Sequence, residues 1–255
     1  MPIESPELRD GREREPAAIR KTLTMGAAVL AAALSLGVVS GGIPMPSAMS
    51  LLPSSQHAVR LADFGEASPS PEARHVADWV ADSRDNADAD FIIVDKRDAR
   101  VYVFDPDARL RAASPVLLGA AVGDDSVPDI GLRPIEDVLP EERTTPAGRF
   151  IAERGRNLQG EDVVWVDYDA AVSMHRVRAT KPSEQRLERL ATPTVDDNRI
   201  SYGCINVPVA FYESYVSPTV ATRRAIVYVL PEVKPVQQVF GSYDVSAPRR
   251  HALLK

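Results

Sequence analysis

The sequence predicts a mainly-β fold: one domain over residues 90–240, a β-sandwich or partly closed barrel with one or two short helices. Three observations carry this. Strand-like segments of four to seven residues recur between turn-forming clusters, about seven of them in all. The 21 prolines in 255 residues work against long helices. Hydrophobic residues make up 44% of the chain, enough for a packed core.

The elements follow in chain order. "FIIVDKRDARVYVFDPDARLRAASPVLLG" opens the domain at Phe91, with Ile92 and Val94, then Val101 and Val103, set between the turn clusters "DKRD" and "DPDA". Apolar positions at every second residue around such turns predict a hairpin. The run from Ala120 to Phe150 is broken by proline and glycine and reads largely as loop. Strands are expected again at Arg149–Glu153, Asp162–Tyr168 and Val172–His175, and a last apolar strand at Ala225–Leu230. Helical signals are confined to Ser183–Ala191, with a serine to cap it, and Pro208–Val216, with proline at its first turn.

Ahead of the domain lies a different kind of chain. Residues 1–22 form a charged leader that ends in Arg20 and Lys21, and no charge follows from Leu23 to Val39. Residues 23–43 therefore predict a signal peptide or a membrane anchor with the leader on the cytoplasmic side. Residues 44–89 are rich in Ser, Pro and Ala and read as a linker. Within them "EARHVADWVADSRD" puts Val76, Trp79 and Val80 on one face of a short helix. Residues 241–255 are a tail. The protein is expected to be exported, in the periplasm or cell envelope, and held at the inner membrane if the segment is not cleaved. A net charge of −6 with no basic block in the domain excludes nucleic acid as a partner.

Export makes the single cysteine informative. Exported proteins pair their cysteines, and Cys204 has none to pair with. It is either a small buried hydrophobe or a thiol kept for chemistry. Gly203 before it lets the backbone bend, and Ser201 and Tyr202 add hydroxyls. A free thiol is only a few per cent thiolate at neutral pH, so a nucleophile needs a base. Of the four histidines only His175 falls within residues 90–240. No second His or Cys completes a zinc set, so neither a metal nor a cofactor is expected.

These residues resemble the L,D-transpeptidases with a YkuD-type catalytic domain. That family carries a histidine, a spacer, then Ser/Thr-His-Gly-Cys-apolar-Asn/Arg; here His175 is followed by "SYGCIN", Ser201 to Asn206. "TTPAGRF", Thr144 to Phe150, looks like its Thr-Pro-x-Gly-x-Phe element. The resemblance covers about residues 90–230. It implies an L,D-transpeptidase-like fold, peptidoglycan stem peptides as partners, and cysteine acyl transfer through a thioester. Cys204 would be the nucleophile and His175 the general base. Gly203 and Cys204 N–H groups, with Tyr202, would face the oxyanion; Ser201 and Asn206 would hold the loop; Arg176 would pair with a stem-peptide carboxylate. Tyr202 stands where the family has histidine, and a tyrosine cannot supply an imidazolium. Arg176 stands where glycine is common, and the spacer from Arg176 to Ile200 is long enough to form a helix or lid. The alternative is a peptidoglycan-binding module that keeps the fold without catalysis.

Overall fold

The computed structural model of the chain describes residues 58–221 and 223–247. The anticipated leader and signal or anchor segment lie outside them. Among the described residues no helix is long and apolar enough to cross a membrane.

The fold is mainly β. Ten strands are β1 (Phe91–Asp95), β2 (Arg100–Phe104), β3 (Leu110–Pro115), β4 (Leu118–Gly119), β5 (Gly148–Arg156), β6 (Asp162–Asp167), β7 (Val172–Arg176), β8 (Arg199–Ser201), β9 (Ile205–Val207) and β10 (Ala225–Val229). Eight of them form one sheet in the order β3-β2-β1-β10-β5-β6-β7-β9, and β4 pairs with β8. The long strand β5 turns the sheet: its first half pairs with β10 and its second half with β6. Leu117, just past β3, exchanges two 2.9 Å backbone hydrogen bonds with Asn206 on β9. The chain leaving one edge of the sheet thus meets the other edge, and the sheet is nearly closed.

Side chains alternate strictly across it. Ile92, Val94, Val101, Val103, Val227 and Val229 face the inner core. Phe91, Ile93, Tyr102, Phe104, Ile226 and Tyr228 face outwards and are buried as well. A sheet buried on both faces needs a cover, and α1 (Pro71–Ser83) supplies it. Ser70 caps this helix, accepting from the Ala73 amide at 3.0 Å while its hydroxyl donates to Asp95 at 2.5 Å. Val76, Trp79 and Val80 pack on the outer face, as their spacing predicts. Each such aliphatic side chain contributes about 2 kcal/mol when fully buried.

The linker and tail boundaries are therefore corrected. The stretch from Leu61 is part of the folded unit, with Ala62, Phe64 and α1 buried against the sheet. At the other end α5 (Val236–Phe240) and the buried Val245 join the same core. His75, placed in the linker by sequence, sits on α1, and its Nε2 lies 2.9 Å from Ser242 Oγ. The spacer between His175 and Ser201 also differs in detail. Pro182–Glu184 forms a 3-10 turn and Gln185 takes a left-handed φ of 46°, so α2 runs only over Arg186–Ala191 and Ser183 does not cap it. The second expected helix is α3 (Val209–Phe211), a π turn (Tyr212–Val216) and α4 (Ser217–Thr219) in succession.

One buried charge cluster braces the end of the barrel that carries Cys204. The Lys96 ammonium, wholly buried, donates to Asp124 at 2.9 Å and to the Thr145 carbonyl at 2.9 Å, and lies 3.5 Å from Glu232. Arg199 pairs with Glu232 and donates to the Lys96 carbonyl at 2.9 Å. Two cations and two carboxylates balance there, which a buried cluster requires. Burial would raise the Asp124 carboxyl, but the amides of Glu232 and Lys234 and the Lys96 ammonium outweigh it and bring it to about 2. The cluster ties the β1–β2 turn, the start of the 125–143 loop, β8 and the chain after β10 into one block.

Candidate active site

Cys204 stands in the turn between β8 and β9. Gly203 has φ +125°, a conformation L side chains rarely adopt, and a Cβ there would lie 2.7 Å from the Thr144 carbonyl oxygen. Ser201 staples the turn from inside: its Oγ accepts from the Gly203 amide at 3.1 Å and donates to the Cys204 carbonyl at 2.6 Å. Thr145, fully buried, donates to the Gly203 carbonyl at 2.8 Å and accepts from the Gly119 amide at 2.9 Å. Because Lys96 holds the Thr145 carbonyl, the buried charge cluster reaches the turn through one residue.

The parallel pairing of β7 with β9 brings the base to the thiol. His175 is opposite Asn206, and Met174 opposite Ile205. Alternation then puts Ser173 and His175 on the same face as Cys204 and Asn206, while Met174 enters the inner core. Cys204 Sγ lies 3.7 Å from Ser173 Oγ and 3.7 Å from the Ala171 carbonyl oxygen. His175 Nδ1 is 2.8 Å from the Arg176 carbonyl, which can only accept, so Nδ1 carries the proton and Nε2 is the basic nitrogen. Asn206 Nδ2 reaches the Cys204 carbonyl at 3.2 Å and His175 Nε2 at 3.5 Å.

The electrostatics follow. Burial pushes the Cys204 thiol up, but His175 beside it, helped by Ser173, outweighs that and leaves it below the ordinary thiol range. Burial pulls His175 down, and the Cys204 sulfur and the Arg176 carbonyl outweigh it, so the imidazole lies above its usual value. Shifts in opposite directions on two facing groups favour a thiolate–imidazolium pair.

Cys204 sits where two lobes of a cleft meet, with Ile135 and Tyr202 also lining both. The smaller lobe, about 140 Å³, lies beneath the 125–143 loop and is walled by Ile130, Val138 and Ala170–Val172, with Arg133 at its side. The larger, about 270 Å³, is lined by His175, Arg178, Lys181, Glu184, Arg186 and Asn206. The spacer anticipated as a helix or lid walls this second lobe. Its Arg186 donates to Asn206 Oδ1 at 2.7 Å, and Leu190 packs with Leu117 and Val177.

Of the residues singled out by sequence, Cys204, His175, Ser201, Gly203, Asn206 and Tyr202 are brought together. Arg176 is not. One residue on from His175, it faces the other side of β7, where it pairs with Glu213 at 2.6 Å and Asp162 at 3.1 Å and stacks 4.2 Å from the Tyr212 ring centroid. The Gly203 amide is engaged by Ser201 rather than aimed into the cleft. Tyr202 lies beneath the Arg143 guanidinium, 4.0 Å from its ring centroid. Thr145, Ser173, Arg133 and Arg186 were not anticipated. Ser173 was within reach of the sequence, two residues before His175 on one strand, and Thr145 lies in the "TTPAGRF" element.

Fold and site together define a class: a nearly closed β domain with a cysteine–histidine pair between two lobes of a cleft. No protein-family model matches the chain. No curated protein sequence matches it. Solved structures resemble it. A Cys-to-Ser mutant of the Enterococcus faecium L,D-transpeptidase shares 15% identity over 56% of this chain and 50% of that one, with a TM-score of 0.31. An L,D-transpeptidase from Xylanimonas cellulosilytica shares 12% over 56% and 60%, with a TM-score of 0.35. The helical cell shape determining protein Pgp2 from Campylobacter jejuni shares 15% over 61% and 55%, with a TM-score of 0.37. The chain spans 50% to 60% of these solved chains.

Proposed function

We propose that the protein is an exported cysteine acyltransferase that acts on peptidoglycan stem peptides. The observation that carries the chemistry is the Cys204–His175 pair at the junction of the two lobes. The substrate comes from the sequence resemblance, through "SYGCIN" and "TTPAGRF". Cys204 Sγ attacks a peptide carbonyl and forms the S–C bond. The imidazolium gives its Nε2 proton to the departing amine as the C–N bond breaks, which releases the carboxy-terminal D-alanine and leaves a thioester. An acceptor amine, or water, then loses its proton to Nε2 and attacks the thioester, and the S–C bond breaks. Asn206 steadies the Cys204 carbonyl, and its Nδ2 donates to the imidazole Nε2 only while that nitrogen is unprotonated.

The segment over residues 23–43, as signal or anchor, places this chemistry outside the cytoplasmic membrane in the same proposal.

The test uses the full chain with a tetrapeptide muropeptide. D-Alanine should be released, and acid quenching should trap an acyl adduct on Cys204. Cys204→Ser should lower release by about 10³-fold or more, since a hydroxyl beside His175 is a far weaker nucleophile than a thiolate. Tight muropeptide binding with neither adduct nor release would support the non-catalytic module instead.

A further inference from the structure

Arg133 is held in an unusual state. Its Nη1 pairs with Glu142 at 3.1 Å, and that carboxylate is itself fixed by the Leu139 amide at 3.0 Å. The Nε and Nη2 groups are buried and have no hydrogen-bond partner among the described residues. These two form one edge of the guanidinium fork, whose parallel N–H bonds match both oxygens of a carboxylate. Leaving charged donors buried and unpaired is costly, so the edge is set for an acceptor that arrives with a ligand. Two other arginines of the cleft are already engaged, Arg178 by Glu161 and Arg186 by Glu184.

The place of Arg133 restricts what that ligand is. It flanks the smaller lobe, which has Cys204 at its mouth. At about 140 Å³, against about 270 Å³ in the other lobe, this lobe suits a small residue better than a long side chain. Its walls at Ala170, Ala171, Val172 and Val138 are apolar. The geometry points to a carboxylate subsite: Arg133 grips the free α-carboxylate of a small carboxy-terminal residue, with the peptide bond ahead of that residue presented to Cys204. This deepens the acyl-transfer reading and rests on it for the identity of the leaving residue.

Binding and turnover are measured separately. In the Cys204→Ser full chain, calorimetry compares a tetrapeptide ending in a free carboxylate with its carboxamide. The acid should bind about 10- to 100-fold tighter, as expected for a bidentate charged pair. Arg133→Met in that background should erase the preference, and Arg133→Lys should restore part of it, with circular dichroism checking that each variant folds. Equal binding of acid and amide, or a preference that survives Arg133→Met, overturns the inference. D-Alanine release is scored with Cys204 intact. If release is absent while the Arg133-dependent preference persists, the acyl-transfer reading fails and the carboxylate subsite stands.

Discussion

His175→Ala should slow acylation of Cys204 by about 10²- to 10⁴-fold, the range for removing a positioned general base. The variant should stay folded, because His175 is only half-buried and the inner core takes Met174 from this strand, not the imidazole. Its thiol should titrate higher than in the native protein. With the imidazole gone, burial is the largest influence on Cys204 and it opposes the thiolate. The loss should therefore be greatest at neutral pH and shrink as the solution becomes alkaline enough to ionise the thiol unaided. Stopped-flow acylation across pH measures both effects. An unchanged rate at neutral pH would mean that another group activates the sulfur.

The second large effect is expected at Gly203. Gly203→Ala meets two obstacles at once. The backbone φ of +125° is strained for any L side chain, and the new methyl would lie 2.7 Å from the Thr144 carbonyl oxygen. That oxygen belongs to backbone and cannot swing away, because the adjoining Thr145 is tied to Gly203, Gly119 and Lys96. Strain of this kind costs about 1–3 kcal/mol per residue, and the clash adds to it. Either stability falls by several kcal/mol or the turn opens and carries Cys204 away from His175. Activity should fall at least about 100-fold in both cases, since a misplacement near 1 Å is enough for that. Gly160→Ala is the matched control. It shares a positive φ, +79°, but has nothing within 4 Å of the added methyl, so it should cost about 1 kcal/mol and leave activity intact. Urea unfolding and acylation rates on the two variants separate the outcomes.

Much of this was legible in the sequence because it is written locally. The turns around β1 and β2, the last strand and the face of α1 all follow from alternation or helical spacing within a few residues. What failed depended on distant partners. The 71–83 helix has the right face, but its cover role appears only when β1, β2 and β10 meet, and β10 is some 130 residues away along the chain. The signal existed: Phe91–Val94 and Ala225–Val229 are apolar without a break, the mark of a strand buried on both sides. The site divides the same way. Cys204, Gly203, Ser201 and Asn206 lie in one short motif, and the lone histidine of the predicted strand could be matched to them. Arg176 was misplaced against a rule the sequence does contain, since neighbours on a strand face opposite ways. Thr145 and Arg186 act through contacts across 20 to 58 residues, and no local spacing announces those.

The central claim is that Cys204 is an ionised nucleophile held by His175. Alkylation of the native full chain by iodoacetamide across pH tests it most directly, because the chain has no other thiol to confuse the signal. The pair predicts a rate that rises below the ordinary thiol pKa of about 8.5. The rise should flatten into a plateau over which thiolate and imidazolium coexist. A slow rate that climbs only at or above the ordinary thiol pKa, with no plateau before it, would contradict the account.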